Sequence, residues 1–124
     1  MNRESLLQFC RKLPHATEDI KWGCDLVFSI GGKMFAVFDL NDTVKVSFKA
    51  APANFALLTT KAGVIPAPYL ARANWIALVK AKALPVAVIK QLLQESYHLV
   101  AAKLPAKVKK ELRLIESSPQ NVIL

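Results

Sequence analysis

The stretch Asp25–Leu40, DLVFSIGGKMFAVFDL, constrains the fold more than any other part of the chain. Two runs rich in β-branched and aromatic residues meet at Gly31-Gly32. Both central positions of a two-residue hairpin turn take positive φ, which glycine adopts without steric cost, so the pattern predicts strands at Leu26–Ile30 and Lys33–Phe38 joined by a tight turn. Asn41-Asp42 signals the next turn, and Thr43–Lys49 reads as a further strand. Its alternation places Val44, Val46 and Phe48 on one face and Lys45, Ser47 and Lys49 on the other. Upstream, Glu18–Gly23 (EDIKWG) reads as a short edge strand. The result is an antiparallel meander of about four strands, and such a sheet can leave one face in water while the other is covered by helix.

The helices are marked by capping and breaking residues. Asn2 is placed to cap a helix whose Leu6, Phe9, Cys10 and Leu13 fall at the spacing of one buried face, and Pro14 ends it. APANFALLTTKAG predicts a second helix with Pro52 in its first turn and Gly63 as the closing residue. VIPAPYLARA, with two prolines, reads as an extended connector with little regular structure. In Asn74–Lys80, Trp75, Ala77 and Val79 alternate with Ile76 and Leu78, a strand partly buried on both sides. This alternation favours Trp75 as a core residue, the alternative being an exposed ring that, with Tyr69, stacks on unpaired bases. A long helix is expected from Pro85 to about Lys103. Pro105 then opens a last helical segment with a stripe of Val108, Leu112 and Ile115. Residues 1–116 read as a single domain and 117–124 as a loose tail.

With 124 residues, 53% of them hydrophobic, the chain has the size and composition for one buried core and not for a disordered polymer. No run approaches the roughly 18–20 uninterrupted apolar residues of a membrane span. The opening residues lack the apolar core and cleavage site of a secretion signal, so a cytoplasmic location without membrane attachment is expected. Two cysteines at this spacing form neither a redox pair nor a zinc cluster. Groups for catalysis are sparse. His15 and His98 stand outside any ligand spacing, and no phosphate-cradling glycine loop occurs. Glu18, Asp19 and Asp25 offer a cation only weak ligation. The expectation is therefore a chain that is not an enzyme and takes no metal or cofactor.

Charge is the informative quantity. Residues 1–42 hold five basic and six acidic side chains, a net of −1, whereas residues 43–124 hold twelve and three, a net of +9. Between Thr43 and Gln94 there is no carboxylate at all. Lysines neutralise phosphates with release of counterions, so this distribution suggests a face for a polyanion. The candidate nucleic-acid contacts are Lys33, Lys45, Lys49, Lys61, Arg72, Asn74, Lys80 and Lys82. With few base-reading side chains among them, DNA binding of low sequence specificity is expected. The alternative is an interaction module for an acidic protein partner.

Five segments in order, GKMFAVF (Gly32–Phe38), VSFKAAPANFALL (Val46–Leu58), PAPYLARANWIALV (Pro66–Val79), LLQESYHLVAAKLP (Leu92–Pro105) and the opening helix ending near Pro14, resemble the MmcQ/YjbR family of small bacterial proteins. The resemblance spans nearly the whole chain. It implies an α+β single domain of the CyaY-like (frataxin-like) kind, a curved antiparallel sheet packed against helices. It also implies a "double wing" DNA-binding arrangement of hairpins beside a helical surface. Lys33, Lys49, Tyr69, Trp75, Ser96 and Tyr97 stand at family motif positions. Where the family often has histidine before the tryptophan, this chain has Asn74. The frataxin-like fold also raises iron handling, but the first helix carries Arg3, Arg11 and Lys12 against Glu4 alone, a poor surface for a hard cation.

Overall fold

The computed structural model describes residues 2–113. Helix α1 (Arg3–Arg11) starts where the Asn2 side chain accepts a hydrogen bond from the Ser5 amide at 3.1 Å. Strands β1 (Thr17–Lys21), β2 (Asp25–Ile30), β3 (Lys33–Asp39) and β4 (Val46–Lys49) then form the expected meander. Gly31 and Gly32 have φ of 58° and 82°, as their hairpin turn requires. Helix α2 (Pro52–Leu58), β5 (Val64–Pro66), a 3-10 turn at Ala71–Ala73, β6 (Trp75–Leu78), helix α3 (Val86–Ala102) and helix α4 (Ala106–Glu111) complete the chain. The sheet has six strands in the order β1-β2-β3-β4-β6-β5, with all neighbours antiparallel.

One face of this sheet carries the main core. Phe28, Phe35, Phe38 and Phe48 are buried there with Ile30, Val46, Ile76 and Leu78, under Ile89 and Leu93 of α3 and Leu6 and Cys10 of α1. Burying each of the large side chains stabilises the fold by about 1.5–3 kcal/mol. A bulge shapes this face. Phe28 pairs with Ala36 but Ser29 pairs with Met34, so Phe35 is an extra residue without a partner on β2. Phe35 thereby joins Ala36 and Phe38 in the core, and Met34 is left to the other face. The Ser96 hydroxyl of α3 donates to the Phe35 carbonyl at 2.6 Å and accepts from the Lys49 amide at 3.0 Å, satisfying backbone groups the ladder leaves open.

Three sequence expectations change. The strand expected over Thr43–Lys49 begins only at Val46. The Asp39 carboxylate accepts from the amides of Asn41 and Asp42, and that of Asp42 from the amides of Val44 and Lys45, a local competition that holds the segment as a loop. Arg3 fastens the loop from outside, its guanidinium donating to the carbonyls of Asp39 (2.6 Å), Asp42 (2.8 Å) and Lys45 (2.9 Å). The second helix ends at Leu58 with Thr59 as its cap, and Gly63 instead serves the approach to β5, where a Cβ would meet Lys80 at 2.9 Å. The connector VIPAPYLARA is in part β5, the outermost strand beyond β6. The predicted tail 117–124, and Ile115 of the last stripe, lie outside the described residues.

Candidate functional site

The second face of the sheet is where sequence and structure part most. The alternation predicts a wet surface there, yet Ser47 is buried. After β5 the chain folds back across this face. Ala67 donates its amide to the Trp75 carbonyl at 2.9 Å, and the Trp75 amide donates to Leu70 at 3.2 Å. Ala67, Trp75 and Ala77 are buried in a small cluster with Met34, Val37, Leu70 and Ala73. Trp75 is thus a core residue, as its neighbours predict.

The cover is incomplete. Between the β1–β2 turn and the 67–70 segment lies a groove of about 570 Å³, floored by Met34, Val37 and Ser47. At one end Asp25 and Asp39 are paired across β2 and β3, with Lys45 beside them. Burial, and then the neighbouring Asp39, push the Asp25 carboxyl above its ordinary range, while Lys45 pulls it back. Trp22 and Tyr69 stand at the groove's margins, 67% and 103% exposed. Both have positive φ, 54° and 65°, a region that bulky residues rarely occupy. Trp22 is unmarked in the sequence, where it reads as the end of a strand, whereas Tyr69, in a connector, is singled out by the family resemblance.

The sheet order sorts the predicted basic residues into two groups. Lys33 begins β3 and Lys49 ends the antiparallel β4, so they share one end of the sheet. Asn74 and Arg72 precede β6 and belong to that end, since Lys49 pairs with Trp75. Lys103, just past α3, also lies there. Burial and then the nearby Lys103 charge lower the Lys49 ammonium. Helix α4 packs on the same end, because a Cβ on Gly31 would meet Leu104 and Val108. It brings Lys107, Lys109 and Lys110 alongside the hairpin. Lys45 lies at the opposite end of β4, and Lys80 and Lys82 follow the opposite end of β6. Lys61 belongs with them, since Val64 pairs with Leu78 and its amide bonds the Lys61 carbonyl.

Acidic residues follow the other half of the sheet. Glu18 and Asp19 lie on β1, Asp25 on β2 and Asp39 on β3, whereas β4, β6 and β5 carry no carboxylate. Glu18 is bound by Arg11 at 2.8 and 3.2 Å. Glu95 on α3 accepts from the Asn54 amide at 3.0 and 3.2 Å. Among the described residues, no group of three or more His, Cys, Asp or Glu is placed to hold a metal ion. Burial pushes the Cys10 thiol up to about 12, which makes it a core residue rather than a nucleophile.

The model of the YjbR family matches residues 11–99, from the last residue of α1 to late in α3. The chain belongs to the YjbR family. Among solved structures, this YjbR domain is similar to a Deinococcus radiodurans protein with a DUF419 domain. The TM-score is 0.78 at 26% identity, over 89% of this chain and 86% of that one. A Pseudomonas syringae protein shares the fold at TM-score 0.66 and 21% identity, over 81% of this chain and 99% of that one. No curated protein matches. The α+β class and the helix-backed antiparallel sheet expected from the sequence are the architecture found here. Among the described residues of this YjbR domain, no helix is long and apolar enough to cross a membrane.

Proposed function

We propose that this YjbR domain is a non-enzymatic, cytoplasmic module that binds DNA through its phosphates. One observation carries the reading. Lys33, Lys49, Arg72 and Lys103 gather at the hairpin end of the sheet, beside the lysines of α4, while the carboxylates of the sheet are confined to β1–β3. Burial is the larger cause of the lowered Lys49 ammonium and repulsion by Lys103 the smaller, and a phosphate between the two lysines would relieve the second. Lys61, Lys80, Lys82 and Lys45, at the other end, contribute to the long-range field rather than to this contact.

The test is fluorescence anisotropy with a short DNA duplex across a salt series. Five phosphate contacts give a slope of log K against log salt of about −4 to −5. The pair Lys33→Glu with Lys49→Glu should weaken binding and flatten that slope by about 2 units, while Lys61→Glu with Lys82→Glu should change the slope far less. A dissociation constant weaker than about millimolar at low salt, or one indifferent to the first pair, overturns the reading. Nuclease-resistant capture of an acidic protein, sensitive to the same pair, would move the assignment to a protein partner.

A further inference from the structure

The groove across the second face has features that phosphate contact does not require. Its floor is largely apolar, made by Met34 and Val37 with Ser47, and its end is a pair of facing carboxylates with Lys45 beside them. Two of the most exposed aromatic side chains of the domain stand at its margins, Trp22 from the β1–β2 turn and Tyr69 from the segment that folds over the sheet. Neither stabilises the fold by burial, and each holds a backbone conformation costing about 1–3 kcal/mol for a residue of its kind. The positive φ of Trp22 is what the β1–β2 turn demands, with Gly23 beside it at 75°, but two exposed rings from separate segments on the margin of one groove point to a planar ligand.

We infer that this groove binds an unpaired nucleobase, with Trp22 and Tyr69 as stacking partners and Asp25 accepting from the base's exocyclic amino group. The inference rests on the DNA-binding reading and adds a strand preference to it. Stacking on an aromatic ring is open to every base, since each has a π face. A carboxylate is more selective. It accepts from the N4 amino group of cytosine, whereas thymine presents the O4 acceptor at the corresponding position. Asp39 leaves Asp25 to this task, because one Asp39 oxygen is already held by the Asn41 and Asp42 amides at 2.8 and 3.1 Å. Lys45 supplies a cation for the phosphate attached to the bound nucleotide. A duplex offers the groove no such base, so single strands gain a contact that duplexes lack.

The experiment titrates the full chain with (dC)12, (dT)12 and a blunt duplex of similar length, following anisotropy of a labelled nucleic acid. The wild type should bind (dC)12 tighter than both (dT)12 and the duplex. Trp22→Ala with Tyr69→Ala should weaken both single strands by about 10- to 100-fold and leave the duplex unchanged. Asp25→Asn removes the carboxylate but keeps its shape and adds a donor suited to thymine O4, so the (dC)12 over (dT)12 preference, expected at about tenfold, should fall toward one. These side chains are exposed or half-exposed, and a circular-dichroism melt of each variant verifies that it is folded. Duplex binding that persists while the aromatic variants bind single strands like wild type overturns the groove and spares the DNA reading. Loss of all binding in the wild type overturns both.

Discussion

The helix-covered face of the sheet buries four phenylalanines under α1 and α3, whereas the other face is, among the described residues, closed by the Ala67–Ala73 segment and keeps a groove. The first face is held by area and by hydrogen bonds that reach far along the chain, such as Ser96 to Phe35 and the Tyr97 hydroxyl to the Pro14 carbonyl at 2.7 Å. The second buries Trp75 among small residues, Ala67, Ala77 and Ser47, and displays Trp22 and Tyr69 outward. Stability therefore belongs mainly to the helix-covered face, the base contact proposed above would belong to the other, and substitutions on the two should separate cleanly.

The largest effect is expected at Phe35, which is fully buried and meets the Phe28 ring at 6.2 Å and the Tyr97 ring edge-on at 5.5 Å. Phe35→Ala should destabilise by about 3–5 kcal/mol in chemical denaturation, enough to unfold a marginal domain. Ser96→Ala comes next. It leaves a buried carbonyl and a part-buried amide without their hydroxyl, at a cost of about 2–4 kcal/mol, although only one oxygen atom is removed. A loss below about 0.5 kcal/mol would mean that this hydroxyl does not hold the bulge.

On the other face the expected changes are small and one is reversed in sign. Folding raises the Asp25 carboxyl, through burial and then the facing Asp39, against the opposing pull of Lys45. The folded chain then holds that proton more firmly than the unfolded chain, so the penalty is absent below the ordinary carboxylate range. It develops as pH rises through the raised folded value and is fully present at neutrality. Asp25→Asn should accordingly raise Tm by about 1–2 °C at pH 7 and have no such benefit at pH 3. Trp22→Ala should leave stability within about 0.5 kcal/mol of wild type. A loss comparable to that of Ser96→Ala would show that the exposed ring belongs to the core, and would erase the distinction between the faces.

Much of the helix-covered face was legible in the sequence because local signals and burial agree there. Asn2, Pro14, Gly31-Gly32, Pro85 and Pro105 mark element boundaries by backbone chemistry that needs no partner. On the second face Trp75 and the two-sided burial of β6 were legible, but the rest was not, because its closure is tertiary. Val64–Pro66 is too short to show a period, and it is a strand only because β6 lies beside it. Ser47 alternates like a solvent residue until Ala67 and Leu70 fold across. The shortened β4 depends on Arg3, some forty residues away, and positive φ at Trp22 and Tyr69 contradicts what those residue types prefer. The basic residues were found by composition, but their division between two ends of the sheet follows from strand order, which charge counting does not contain.

The bond from Tyr97 to Pro14 joins residues 83 apart and fixes the end of α1 against α3. A ribosome making this chain must therefore release α3 before the first helix has its resting place. Until then the apolar stripe with Leu6 and Cys10 has only the sheet side of its packing and lacks the α3 side. At synthesis rates of about 5–20 residues per second, that interval lasts several seconds, long enough for encounters with other chains or with chaperones. The positively charged Arg3 and Arg11 of the same short helix, with Lys12 at its C-cap, help keep it in water during the wait.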